Sequence, residues 1–423
     1  MSRRHCLGVI LTLGLGLMTA GTAHATIKVQ CPGDNNGDAV IDPANRNKYP
    51  DTVCRHLVAT DGFTRMSDGR SMYIFGFKEM TGVLENQVAQ QSELKAQFAA
   101  PTIMLDEGDE FYLTLSNVAF AKRPDLFDAH SVHWHGFPNA SSVFDGEPEA
   151  SFGVNPGASL TYFYKVVEPG SYLYHCHVEA TEHMQMGMLG SKYVRPAQNR
   201  LPNGTVLNTH VHRNPDNPNG STPRAKDDPL DGDKYAYNDG DGSTLYDVEY
   251  PIQIHGFDPN FHQASIDVQP PPFAMMTDTY PMLNGRGYPD TVNPNPITIP
   301  DVQSSHPVSA RITAQQGQKI LLRLSSLSVT SYYTLASTGL PMKVVGHGAR
   351  ILKGNGEKTG KALYYTATSV TMGGGEARDV IVDTTGVQPG TYFLYTSNLN
   401  NLSNDTQDLG GMMTEIIITA AGA

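Results

Sequence analysis

Short runs in which apolar and polar residues alternate, each closed off by Gly or Pro, recur along this chain. Successive side chains of a β-strand face opposite sides, so a period of two marks half-buried strands. The runs fall into two sets. EGDEFYLTLSN, from Glu107, matches QGQKILLRLSS, from Gln316. HSVHWHG, from His130, falls opposite LPMKVVG, from Leu340, and GSYLYHCH, from Gly170, falls opposite GTYFLYTS, from Gly390. The spacing between partners stays at about 210 to 220 residues, which means one unit used twice. Two β-sandwiches or barrels in tandem follow. Between them, from Pro196 to about Asp247, the chain turns to Asn, Asp, Gly and Pro, which predicts a linker without a core of its own. The predicted layout is a first domain over 61–196, a polar linker over 197–247 and a second domain over 248–423.

Composition narrows this picture without changing it. A chain of 423 residues, 17% charged and carrying 41 Gly and 28 Pro, suits two turn-rich β domains better than one. The formal net charge of −12 leaves no basic footprint for nucleic acid. At the N-terminus, Arg3 and Arg4 precede CLGVILTLGLGLM, an apolar run too short to span a bilayer, and Ala23-His24-Ala25 offers a small-x-small cleavage site. Residues 1–25 therefore read as a secretory leader cleaved after Ala25, which places the protein in the periplasm or outside the cell. Its removal takes Cys6 and leaves Cys31, Cys54 and Cys176. In an oxidising compartment Cys31 and Cys54 are expected to pair and tie the segment 26–60 together. Cys176 then has no partner, and a metal would resolve the liability of a free thiol.

Inside that tied segment, Asp34, Asn36, Asp38 and Asp42 occupy odd-numbered positions of a calcium-loop pattern, with Val40 able to offer a carbonyl. The pattern is imperfect, because Ala39 stands where the sharp-turn glycine belongs and Asn45 replaces the bidentate acid. The alternatives are a calcium site and a polar, disulfide-tied surface loop.

The densest chemistry lies in HSVHWHG and in GSYLYHCHVEATEHMQMGM. On a strand, the Cys176 side chain points one way while His175 and His177 point the other. His133 and His135 share a face by the same argument. Two sites on opposite sides of the same strands result, joined through the backbone of Cys176. The first gathers Cys176, His130, His183 and the thioether of Met188, the ligand set of a blue-copper electron-transfer centre. Zinc accepts thiolate and imidazole but has no use for methionine. The second gathers His133, His135, His175 and His177, imidazoles suited to further copper. His210 and His212 also alternate but sit in the polar linker, where they read as surface residues.

The tandem layout, HSVHWHGF and HCHVEATEHMQMGML closely resemble the cupredoxin domains of multicopper oxidases, particularly the small two-domain laccase-like group. PMLNGRGYPDT, from Pro281, resembles the opening of a later oxidase domain. The resemblance implies two cupredoxin-like domains and one-electron oxidation of a small-molecule or metal-ion donor, such as a diphenol, at a blue copper. Electrons would pass through Cys176 to His175 and His177, and oxygen would be reduced at a copper cluster. It also implies a ring of subunits, most simply a homotrimer. The departure is in the second copy, where the repeat sets Leu340, Lys343 and Val345 against the histidines of the first motif and Tyr395, Thr396 and Ser397 against His175, Cys176 and His177. Two or three coppers per chain are therefore expected, not four. A non-catalytic blue-copper carrier is the alternative. Copper nitrite reductases, the more distant relatives, need a second-domain histidine where Ser397 stands.

Overall fold

The computed structural model describes residues 27–208, 210–213, 232–298, 305–306, 308–354 and 360–422, so the expected leader lies outside the described residues. The chain is all-β, with two cupredoxin-like sandwiches in tandem. The first is built from β1 (Thr52–Arg65), β2 (Ser71–Glu79), β3 (Ala100–Asp106), β4 (Glu110–Asn117), β5 (His133–His135), β6 (Ser159–Lys165), β7 (Gly170–His175) and β8 (Leu189–Arg195). One sheet runs β2-β1-β4-β6 and the other β3-β8-β7-β5. The β1–β4 and β3–β8 pairs are parallel, so the chain must cross between the sheets instead of turning back by hairpins. Phe75, Leu113, Trp134, Tyr162 and Tyr174 fill the space between the sheets with no exposure.

The first domain begins earlier than residue 61. Leu57, Val58, Ala59, Thr60 and Asp61 are all buried, because β1 lies between β2 and β4 and is covered on both faces. A strand buried on both sides loses its alternation, which hides it from a period-two reading.

In the second domain, one sheet is ordered Tyr280–Leu283, Val248–Phe257, Lys319–Ser326, Glu376–Asp383, Met342–His347 and Arg350–Ile351. The other runs Ile312–Gln315, Met413–Thr419, Gly390–Thr396, Tyr333–Ser337 and Ser369–Met372. This corrects one match of the repeat. In the first domain β5 pairs with β7, His133 lying opposite His175. In the second, the strand paired with Gly390–Thr396 is Tyr333–Ser337, with Ala336 opposite Tyr395. LPMKVVG belongs instead to a strand of the other sheet, paired with Glu376–Asp383 on one side and Arg350–Ile351 on the other. The residues at the positions of His130, His133 and His135 are thus Tyr333, Ala336 and Thr338, and the copy still offers no imidazole there.

The linker is also more than a tether. Tyr235, Tyr237 and Tyr246 are buried, and Tyr237 and Tyr246 join Leu321 and Val345 in a cluster on the second domain. His212, expected at the surface, is buried with its Nδ1 2.9 Å from the Tyr235 hydroxyl. The polar stretch between 214 and 231 lies outside the described residues.

Three helices matter for the site: α1 (Val88–Ser92), α2 (Ala180–Met186) and α3 (Pro259–Ile266). Second-domain α3 packs on β2 and inserts Phe261 into the first domain's core. An apolar seam of Phe98, Leu173, Leu189, Phe257, Met282 and Leu327 joins the domains. Beside it Ser171 donates to Asp379 at 2.5 Å, Ser191 meets Ser325 at 3.0 Å, and Arg323 reaches Glu249 at 2.9 Å. Among the described residues, no helix is long and apolar enough to cross a membrane.

Candidate metal centres

Alternation along β7 sorts its side chains. Tyr172 and Tyr174 enter the first domain's core, and Cys176 follows them just past the strand's end, while Ser171, Leu173 and His175 face outward towards the second domain. The loop after Cys176 turns through α2 and returns to β8. It is pinned by two backbone bonds, Met188 N–H to His183 carbonyl at 2.8 Å and Cys176 N–H to Met188 carbonyl at 3.1 Å. This knot brings the sequence-distant ligands together.

On the inner face, the Cys176 sulfur lies 3.2 Å from His183 Nδ1 and 3.9 Å from His130 Nδ1. His130, Cys176 and His183 converge within 4.8 Å, and Met188 is buried in the same core. A third approach to the sulfur comes from the Ser131 N–H at 3.4 Å. Burial pushes the Cys176 thiol up to about 11, holds His183 at about 4 and keeps His130 well below its ordinary value. Both imidazoles are therefore neutral at pH 7, with lone pairs free for a metal. Two nitrogens and one sulfur converging in a dry pocket fit copper. The same burial would be costly for a thiolate without a cation.

On the outer face, His133, His135 and His175 also converge within 4.8 Å. Each has its inward nitrogen selected by a carbonyl behind it. His133 Nδ1–H donates to the Asp145 carbonyl at 2.7 Å and His175 Nδ1–H to the Cys176 carbonyl at 2.9 Å, which leaves each Nε2 as the lone-pair nitrogen, that of His175 turned towards His135. His135 is held from the second domain. It hydrogen-bonds the Gly375 backbone, and its Nδ1 lies 3.3 Å from His175 Nε2. Such carbonyl partners orient metal-binding imidazoles and fix their tautomers. Burial lowers His175 to about 3 and also depresses His133 and His135. His177 stands at the rim, with its ring 5.1 Å from that of His133 and its Nδ1 3.9 Å from Glu147.

Reading the sequence missed the orienting groups, Asp145 and Gly375. A backbone carbonyl carries no residue signature, although Gly375 does have one. It adopts φ +82°, and a Cβ there would lie 2.9 Å from His135 Nε2. In the second domain, His347 is exposed and 3.6 Å from Glu376, while His255 and His262 are buried against the first domain.

The Cys31–Cys54 disulfide forms, with Cα atoms 5.8 Å apart, and among the described residues Cys176 is the free thiol. In the Asp34–Asp42 loop, the Asp34 carboxylate accepts the Gly37 and Ala39 amides at 2.8 and 2.9 Å, and Asp42 accepts the Asn35 amide at 2.8 Å. Ala39 makes the sharp turn at φ 64°. Among the described residues, the donor groups that converge are the two histidine-based sites and not this loop.

A protein of two cupredoxin-like domains, with a cysteine–histidine centre back to back with a histidine cluster, is a copper-protein architecture. Two family models, both described as multicopper oxidase, match residues 79–199 and 269–418. The chain belongs to the multicopper oxidase family. A laccase of Metarhizium acridum is 31% identical over 121 residues, 28% of this chain and 18% of the laccase. A multicopper oxidase of Mycobacterium tuberculosis is 36% identical over 78 residues, 18% of this chain and 14% of that protein. The alignments thus span less than a fifth of these relatives. The blue copper oxidase of Nitrosomonas europaea superimposes with a TM-score of 0.58 at 20% identity, covering 87% of this chain and 86% of its own. The copper nitrite reductase of the same organism gives 0.53 at 16%, covering 87% and 94%. These two likenesses establish the shared fold.

Proposed function

We propose that the protein is a secreted or periplasmic copper oxidase that takes single electrons from a small donor and delivers them to dioxygen. The observation that carries this reading is the place of Cys176. Its side chain joins His130 and His183 on one face, and its own carbonyl orients His175 on the other. One residue therefore links both candidate sites through a few covalent bonds.

His130, Cys176, His183 and Met188 would hold a blue copper, and His133, His135, His175 and His177 would hold one or two more. Copper supplies a one-electron acceptor at the first position and an oxygen-reducing centre at the second. The chain's own contribution is preorganisation. Burial keeps water from the sulfur, and the Asp145, Cys176 and Gly375 backbones hold three imidazoles with the correct nitrogen inward. The half-exposed rim at His133 and His177 is where a neighbouring copy in a homotrimer would close the outer site.

The test is colour and turnover. Copper-loaded protein should be intensely blue and should consume oxygen with a phenolic or metal-ion reductant. Cys176→Ser should abolish both, and a blue Cys176→Ser protein would refute the ligand assignment. One observation favours a non-catalytic electron carrier instead: Tyr333, Ala336, Thr338, Tyr395, Thr396 and Ser397 offer the outer site no imidazole. Blue protein that is reduced by donors but takes up no oxygen would select that reading.

A further inference from the structure

We propose that a single-ring phenol docks in a pocket beside α1 and that its electron enters the Cys176 centre through the ring of Phe120. The inference rests on reading that centre as a copper site.

The first reason is enclosure. His130, Cys176, His183 and Met188 have no exposure at all, so a donor cannot touch a ligand directly. The His183 side is roofed by the second domain. Phe257 lies over Gly187, and His262 donates to the Tyr73 carbonyl at 2.6 Å. An electron must therefore cross at least one intervening side chain.

The second reason is that two aromatic rings touch the ligand imidazoles, and both lead to one place. Phe120 lies 5.2 Å from the His130 ring, and Phe75 lies 5.7 Å from the His183 ring. The two phenyl rings stack on each other at 4.7 Å. Phe75 is sealed in the core, but Phe120 forms part of the wall of a surface pocket of about 330 Å³. Ala89, Val118 and Ala121 continue that wall, and Gln90 and Glu93 supply polar groups.

The third reason is that the segment carrying Phe120 is held under strain. Ala119 adopts φ 64°, a left-handed conformation disfavoured for a residue with a Cβ. The Asn117 side chain accepts its amide at 3.0 Å. The fully buried Asp61 carboxylate accepts the Ala121 amide at 3.0 Å, the Lys122 amide at 2.7 Å and the Tyr73 hydroxyl at 3.0 Å. Strained backbone held in place by buried partners is one way a fold fixes a side chain at a functional position. Here it sets one ring against His130.

The pocket's chemistry names the donor. Its volume is at the small end for ligand sites and suits one aromatic ring. The largely apolar wall, with Glu93 its one carboxylate, favours an aromatic ring over a hydrated metal ion, which would trade most of its water for apolar contacts. With copper bound at Cys176, the phenol would give one electron to the cupric ion, reducing it to cuprous, and its O–H proton to the Glu93 carboxylate. It leaves as a phenoxyl radical.

Two variants test this. Ala89→Trp fills the pocket from an exposed helix position, and Phe120→Leu removes the ring. In copper-free protein, the fluorine NMR signal of a fluorophenol should broaden on binding and sharpen again in Ala89→Trp. In copper-loaded protein, bleaching of the blue band by phenol without oxygen should need at least tenfold more phenol for half-maximal rate in Ala89→Trp. The limiting rate should fall at least tenfold in Phe120→Leu, with half-saturation within twofold of the parent. If Ala89→Trp melts early, Gln90→Trp takes its place. Variants that keep the blue band and bleach as fast as the parent overturn the pocket and leave the copper reading intact. A colourless parent that still binds fluorophenol overturns the copper reading and with it electron entry through Phe120.

Discussion

Acid should part the two domains before it unfolds either one. The seam holds two second-domain imidazoles: His255, its ring 5.6 Å from that of Phe98, and His262, bonded to the Tyr73 carbonyl. Phe257, which packs on Phe98 at 4.4 Å, lies between them. Burial lowers His255 from 6.5 to about 3 and His262 from 6.5 to about 4. The joined state therefore holds both rings neutral, whereas separated domains would let them take up protons near pH 6.5. Their contribution is complete above pH 6.5 and is lost as the pH falls towards 4. At pH 5 the loss is about 2 kcal/mol for each ring and about 4 kcal/mol for the pair. Asp278, pushed up to about 6 by burial, works the other way, offsetting about 1 kcal/mol at pH 5. Comparing the parent with a His255→Gln/His262→Gln variant cancels that offset. Melting curves and small-angle scattering from pH 7 to 5 should show the parent loosening while the variant's stability changes far less with pH. Identical pH dependence in the two proteins would refute the argument.

Gly375→Ala should place a Cβ against His135 in a backbone conformation only glycine adopts readily, so copper at the outer site should fall while the blue band persists; metal analysis with absorption spectroscopy reads both. Fully loaded protein should carry two or three coppers per chain, and four, with second-domain ligands seen by mutation, would show a completed cluster. Reducing Cys31–Cys54, which are 23 residues apart, should cost about 3 kcal/mol in denaturant titration while leaving the colour intact. Leu173→Ala should destabilise the seam by about 2 to 5 kcal/mol in chemical denaturation, with both metal sites retained.

Much of the centre was legible because strand geometry is simple. HCH and HWH state their facings through period two, and the burial of Cys176 opposite an outward His175 follows that rule. The second copy's matching strand was not legible. Tyr333–Ser337 keeps none of the first copy's letters, and the glycine ending LPMKVVG imitated WHG in a strand belonging to the other sheet. The linker's anchors were hidden because its tyrosines are scattered among polar residues, and burial there comes from a surface the sequence does not place nearby. Phe120, Asp145 and Gly375 act through ring position or backbone, and no spacing rule announces either.

The roof over α2 divides the protein's commerce with metal into two clocks. A copper ion held at Cys176, as proposed, would have to arrive before Phe257 and α3 settle against the first domain, or wait until thermal motion lifts them. The outer histidines, with His177 at a half-exposed rim, would leave a metal closer to solvent. Isotopically labelled copper should therefore exchange in two phases, a fast one at the outer cluster and a slow one set by domain opening. An inner ion would then be sealed into the fold as the second half of the chain docks, while an outer metal would stay nearer to exchange.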